Sequence, residues 1–347
     1  MREKISLQKQ VQNSLDELLA IGQSKHEAKK RGIKNEKIYS WETYRSYLKQ
    51  ASYFAKWVKE QPVSPALGRK PRTLEEARPY VEKFLQASID RGLSSYTIKL
   101  QAAALAKVYR CKITDFDIDT PQRKRSEITR SRGSKARDAH FNEALHVDLV
   151  TFCRCTGLRR AELEQIRGED LVFKDGKPFL NVTRGTKGGR PRVSPIIGSD
   201  EELKNVLAQL SRAGAERVYP SPSEHADIHG YRSQSGTRVY EAFKRDLSAF
   251  KNERLIIYKN HVIEAYTASN SHTKDRQTFS RYYSATEKDA YGYPKMLPGY
   301  KDVSSVYVCR KDLATVVYDR RALFAASNAL GHNRENVVAE HYIRASE

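Results

Sequence analysis

The stretch Thr156-Gly157-Leu158-Arg159-Arg160-Ala161-Glu162-Leu163 joins two helical patterns in the second half of the chain. Upstream, residues 142–155 read as a helix; downstream, a second helix begins near Arg159 and carries Leu163 and Ile166. Short strands follow around 171–173, 179–182 and 192–196, separated by turns at Asp175-Gly176 and Gly188-Gly189. Helical patterns dominate from there to the end, with one interruption. Residues 251–305 are rich in tyrosine (Tyr258, Tyr266, Tyr282, Tyr283, Tyr291, Tyr293 and Tyr300), carry few aliphatics after Ile263, and read as a structured insertion. Residues 141–347 are therefore expected to form a mainly helical α+β domain with a small antiparallel sheet.

Toward the N-terminus, Tyr44, Tyr47, Leu48, Ala51, Phe54, Ala55 and Val58 recur every three to four residues. Thr73 can cap a helix carrying Leu74, Ala77, Val81, Phe84 and Leu85, with Glu75 and Glu76 favourable in its first turn. Ser94 or Ser95 can cap another, carrying Ile98, Ala102, Leu105 and Tyr109. Without strand patterns, residues 39–115 are expected to be an all-α domain. Residues 1–38, rich in Lys and Glu, read as a charged helical extension, either solvated or a basic arm. Residues 116–140 read as a linker. In it Arg123, Lys124, Arg125, Arg130, Arg132, Lys135 and Arg137 face one acid, Glu127, with almost no apolar content. A charge run at a domain boundary suits a strap across DNA phosphates better than a passive tether.

Composition agrees with a two-domain protein that meets a polyanion. The 347 residues, 39% hydrophobic, suffice for two cores, and 62 Lys+Arg against 42 Asp+Glu give a formal charge of +20. No apolar run approaches the ~20 residues that span a bilayer, and Met1-Arg2-Glu3-Lys4 opens no signal segment. A cytoplasmic protein without a membrane partner is expected. Cys111, Cys153, Cys155 and Cys309 lack zinc-site spacing and read as reduced, structurally passive thiols, so no metal is expected.

Several motifs fall in a fixed order. Residues 156–163 resemble the first signature of the tyrosine recombinase/integrase family, T-G-x-R-x-x-E-[LI]. Leu330-Gly331-His332 followed by Tyr342 resembles its closing signature. Thr186-Lys187-Gly188-Gly189-Arg190 lies where the family carries its hairpin lysine, and Arg310 precedes His332 at about the spacing of its second arginine. The resemblance covers the catalytic half closely and the helical half in general character. It implies a core-binding, SAM-like helical DNA-binding domain and a recombinase catalytic domain. It also implies double-stranded DNA at specific sites as the partner, a homotetramer assembled on that DNA, and an accessory directionality factor. No cofactor is implied, and a bacterial, nucleoid-associated location follows by analogy.

The chemistry of these residue types suits that implication. Breaking and rejoining a phosphodiester without ATP requires the bond energy to be stored, and a phosphotyrosine does this. Free tyrosine has a pKa near 10, so ionisation at pH 7 costs roughly 4 kcal/mol. Two arginines, Arg159 and Arg310, would stabilise the charge on the pentacoordinate phosphorus. Lys187 would protonate the leaving 5′ oxygen, and His332 would donate to a non-bridging oxygen or help deprotonate Tyr342. Glu162, three residues after Arg159 on the same helix, would brace the site.

The chain also departs from the family pattern. The second arginine normally ends H-x-x-R, but Tyr307-Val308-Cys309-Arg310 has Tyr307 in place of His. A literal H-x-x-R occurs at His229-Gly230-Tyr231-Arg232, 100 residues before His332. Spacing favours Arg310, and the insertion then falls between Lys187 and Arg310. An integrase of a mobile element is the expected function. A Xer/Cre-like resolvase, a type IB topoisomerase-like enzyme and a DNA-binding regulator with a decayed site are the alternatives.

Overall fold

The computed structural model describes residues 5–32, 37–122, 141–259, 261–309, 315–332 and 334–343, apart from the side chains of His26 and His272. The chain divides into two compact units, Met1–Thr129 and Arg130–Glu347. The seven basic residues of 123–137 named above, and Arg310, lie outside the described residues.

The described elements of the first unit are helices: α1 (Leu7–Asp16), α2 (Lys25–Lys30), α3 (Trp41–Glu60), α4 (Leu74–Ala77), α5 (Val81–Asp90) and α6 (Ser95–Val108). Ser40, Thr73 and Ser94 each accept a backbone N–H three residues on, so the three longer amphipathic segments begin at capped ends. Two boundaries differ from the sequence expectation. Leu7, Val11, Leu15, Leu18 and Ile38 are buried with Phe54, Val58, Phe84 and Leu105 in one core, so these residues belong to this unit instead of to an extension from it. The apolar i, i+4 spacing of Leu7, Val11 and Leu15 outweighs the surrounding charge. At the other end, Phe116 is buried and Ile118 packs on the same core, so the start of the expected linker is also part of the unit.

The second unit opens with α7 (Val147–Thr156) and α8 (Arg160–Leu163). A three-stranded antiparallel sheet follows: β1 (Leu171–Lys174), β2 (Lys177–Val182) and β3 (Arg192–Pro195). Leu180 pairs with Leu171 on one side and Ser194 on the other. Asp175 and Gly176 both have positive φ, as a tight hairpin turn requires. Next come α9 (Asp200–Ala213), α10 (Ile228–Phe243) and α11 (Leu247–Phe250). The chain ends with β9 (Val306–Cys309) paired to β10 (Val316–Asp319), then α13 (Arg320–Ala329) and α14 (Glu335–His341). Helix α10 packs against both α7 and α13.

Between α11 and β9 lies the tyrosine-rich segment. Strand β4 (Glu253–Tyr258) pairs with β5 (His261–Thr267) and β8 (Tyr300–Ser304), while α12 (His272–Thr278), β6 (Tyr283–Lys288) and β7 (Pro294–Met296) fill the excursion. With so few aliphatics, the tyrosines are the core here. Tyr282 and Tyr283 are buried with Ile256, against Tyr266, Phe279, Met296 and Tyr300. Asp302 accepts hydrogen bonds from Tyr266 and Tyr283, both at 2.9 Å, and from Arg254 at 2.8 Å. Tyr291 and Tyr293 are the outward exceptions, both exposed. The base is pinned by Arg245, which donates to both Glu253 and Asp319, the cap of α13.

Candidate active site

Helix α10 and the turn bearing His332 meet at Tyr342, which ends α14 and is buried. Helix α10 contributes one face. His229, Arg232, Ser233, Gly236 and Thr237 follow the i, i+3, i+4, i+7, i+8 spacing that aligns side chains along a helix. The His229 ring lies edge-on to the Tyr342 ring at 5.4 Å, and the Arg232 guanidinium stands 5.7 Å from its centroid. The Ser233 and Thr237 hydroxyls donate to the Tyr342 carbonyl at 2.9 and 3.3 Å. Gly236 has no side chain because there is no room for one: a Cβ would lie 2.9 Å from Leu330 and 3.5 Å from Tyr342.

Arg232 is the largest fully buried side chain, 1% exposed. It donates to the carbonyls of Gly157 and Leu330, and its third contact is His332 Nε2 at 3.3 Å. Arginine has no acceptor, so Nε2 accepts and the imidazole proton resides on Nδ1. The Nε–H of Arg232 is buried without a partner among the described residues. Burial, then the charge of Arg159, lowers the guanidinium to about 10, against the raising influence of Tyr342 and Glu162. His332, its ring 4.6 Å from that of Tyr342, is pushed down to about 3 by burial and then by Arg232, Arg159 and Arg192. It is a neutral imidazole at pH 7.

Arg159 caps α8, and its guanidinium donates to Glu162 at 2.7 Å and to the carbonyls of Leu330 and Gly331 at 3.1 and 3.3 Å. The preceding Gly157 ends α7 with φ +62°, and a Cβ there would lie 2.6 Å from Ser235 Oγ on α10. The Thr-Gly of the motif is thus a left-handed helix end and a close helix contact at once. Glu162 accepts from the Arg159 backbone at 2.8 Å and from both ends of Arg192 at 2.7 and 2.8 Å. Burial alone would raise its carboxyl, but Arg192 first and Arg159 after it bring it down to about 2. Arg159, Arg160, His229 and Arg232 help line a recess of about 430 Å³.

The structure thus gathers Arg159, Glu162, His332 and Tyr342. Lys187 stands on the exposed turn between β2 and β3. Two residues earlier, Gly185 (φ +67°) lies so close to α8 that a Cβ would sit 2.1 Å from the Ala161 carbonyl, which anchors the turn beside the Arg159 helix. Tyr307 is half-buried on β9 with the Arg320 guanidinium 5.0 Å from its ring. Among the described residues, Arg232, which spacing had set aside, lies beside His332 and Tyr342. The reason is the position of the insertion: it separates α10 from α13, two helices that pack together, and so stretches the interval from Arg232 to His332. Sequence reasoning also missed Arg192, His229, Ser233 and Thr237. The literal H-x-x-R at 229–232 was the signal for His229, as it was for Arg232.

No protein-family model matches the chain, and no curated protein matches it. Among solved structures it is similar to the Tn1549 transposon integrase in complex with circular intermediate DNA, at 13% identity and a TM-score of 0.33 over 70% of this chain and 90% of that one. It is also similar to that integrase in complex with transposon right-end DNA, at 14% identity and a TM-score of 0.32 over 71% and 89%.

Proposed function

We propose that the chain is a DNA strand-transferring enzyme of the tyrosine recombinase type, with Tyr342 as nucleophile and Arg232 as the second arginine. The observation that carries this is the meeting of Arg232 and His332 at the Tyr342 ring, with Arg159 held on the carbonyls of Leu330 and Gly331 just before His332. In this reading Tyr342 Oη attacks the scissile phosphorus, the P–O5′ bond breaks, and a 3′-phosphotyrosine and a 5′-hydroxyl result. One phosphodiester replaces another, so no outside energy is needed, and a 5′-hydroxyl from a second duplex reverses the step.

Each residue then has a task. Arg159 and Arg232 bind the non-bridging oxygens, and the Arg232 Nε–H gains an acceptor that it lacks among the described residues. Neutral His332, with its proton on Nδ1 and an Nε2 lone pair that Arg232 engages at 3.3 Å, suits proton exchange better than fixed-charge stabilisation. Lys187, on its anchored turn, delivers a proton to the leaving 5′ oxygen. Exchange between two duplexes uses four tyrosines, so the working assembly would be a tetramer formed on DNA. A mobile-element integrase is the specific role that the insertion favours, and the basic 123–137 stretch would add nonspecific affinity.

The test is a pool of nicked DNA duplexes of randomised sequence, in which the short leaving fragment diffuses away. The wild type should accumulate a denaturation-resistant DNA adduct. DNA binding without any adduct would instead indicate a binding protein with a decayed site. No helix among the described residues is long and apolar enough to cross a membrane.

A further inference from the structure

The charge count of the site does not close on the residues that would touch DNA. Glu162 is wholly buried directly behind Arg159, 2.7 Å from its guanidinium. A buried carboxylate at that distance would cancel the positive charge that Arg159 is meant to present to a phosphate. Arg192, on β3, prevents this. Its side chain is 8% exposed, it grips both oxygens of Glu162 at 2.7 and 2.8 Å, and its Nε donates to the Ala329 carbonyl at 2.8 Å. The Cβ position of Gly331 lies only 3.2 Å from the Arg192 side chain, so the turn bearing His332 rests directly on it. Arg159, Arg192 and Arg232 against Glu162 leave the cluster with two net positive charges, and one without Arg192.

We infer that Arg192 is a positioning residue for the proposed reaction: by taking up the charge of Glu162 it leaves Arg159 and Arg232 free to stabilise an anionic phosphate. This rests on the recombinase reading above. Arg192 contributes electrostatics through Glu162 and touches no DNA. Its second tether, to Ala329, is shared with Ser194, whose hydroxyl donates to the same carbonyl at 3.0 Å, so loss of Arg192 leaves the end of α13 attached.

The experiment uses the full chain and the nicked duplex that the wild type selects from the randomised pool. The duplex is made once with an ordinary scissile phosphate and once with a neutral methylphosphonate at that position. Arg192→Gln should slow adduct formation on the phosphate about tenfold to hundredfold, less than the ~10²–10³ expected for losing a donor that touches the phosphate. On the methylphosphonate, which lacks the anionic oxygen, the change should stay below about threefold. The paired variant Arg192→Gln with Glu162→Gln removes both charges, restores the balance, and should recover most of the lost rate. Arg192→Lys, which keeps the charge but not the two-pronged grip, should fall between Arg192→Gln and wild type; it also serves if Arg192→Gln melts too low to assay. Equal slowing on both substrates, or a paired variant slower than the single one, would overturn the inference and make Arg192 a structural brace. A wild type that forms no adduct on any duplex would overturn the recombinase reading itself, and the inference with it.

Discussion

Replacing Arg232 separates the site geometry from the spacing argument. Its guanidinium is 1% exposed and holds the carbonyls of Gly157 and Leu330 as well as His332 Nε2. Arg232→Ala leaves the Gly157 carbonyl without its donor, at ~1–3 kcal/mol, whereas the Leu330 carbonyl keeps Arg159 at 3.1 Å. Against this, it removes a buried cation whose desolvation is already visible in its lowered pKa. The net destabilisation should be about 1–3 kcal/mol, the lower end reflecting that relief. Loss of one charge-stabilising donor group should slow cleavage a further ~10²–10³-fold in the molecules that remain folded. Arg232→Lys keeps a charge but one ammonium cannot span both carbonyls, so it should restore stability more than rate. Denaturant unfolding measures the first effect, and the initial rate of adduct formation on nicked DNA, corrected for the folded fraction, the second. Arg310→Ala, assayed beside them, should stay within about tenfold of wild type, since the two arginine roles are already filled by Arg159 and Arg232. A folded Arg232→Ala that cleaves normally, or an Arg310→Ala that is inert, would refute this assignment.

Other outcomes follow from the same geometry. His332 is held near 3 in the folded chain, below its ordinary value of 6.5, so the unfolded chain binds its proton first and stability falls as pH drops from about 6.5 toward 3. The slope is at most about 1.4 kcal/mol per pH unit from this group, and His332→Gln should flatten the acid limb in urea titrations; an unchanged limb contradicts the burial argument. Glu162, held near 2, adds its own loss only below about pH 4.5. Gly157→Ala places a Cβ 2.6 Å from Ser235 Oγ at a left-handed position and should cost about 1–3 kcal/mol in thermal unfolding, and a neutral result would be evidence against the tight α7–α10 contact. Replacing residues 251–305 by a short Gly/Ser linker exposes Phe324, which packs on Leu255 and Ile257, so the trimmed chain needs Phe324→Ser. That variant should keep cleavage of a nicked half-site while binding or pairing of full sites weakens, and loss of half-site cleavage with binding intact would place catalytic parts in the insertion.

Much of the fold was legible because local signals agreed with each other. The capping residues Ser40, Thr73 and Ser94 preceded amphipathic runs, and Asp175-Gly176 lay between two β-rich segments. What sequence did not reveal was which distant segments meet. Leu7, Val11 and Leu15 looked like part of a charged arm because charge dominates their neighbours, yet three apolar residues on one stripe suffice to bury a helix. The tyrosine-rich run read as a structured insertion without showing what holds it together: where aliphatics are scarce the tyrosines form the core, and Asp302 accepts from the hydroxyls of Tyr266 and Tyr283. At the site, the T-G-x-R and L-G-H motifs are local and could be found. The contact of Arg232 with His332 spans a whole subdomain, so counting residues did not anticipate it, although the letters of H-x-x-R mark that segment. Arg192 carried no signal at all: its role depends on a buried carboxylate thirty residues away.

The most direct measurement is mass spectrometry of the denatured adduct after digestion with protease and nuclease. The account predicts a residual nucleotide phosphate on the peptide containing Tyr342, its absence in Tyr342→Phe, and DNA binding by that variant close to wild type. A nucleotide carried on any other residue, or an adduct that persists in Tyr342→Phe, would contradict it.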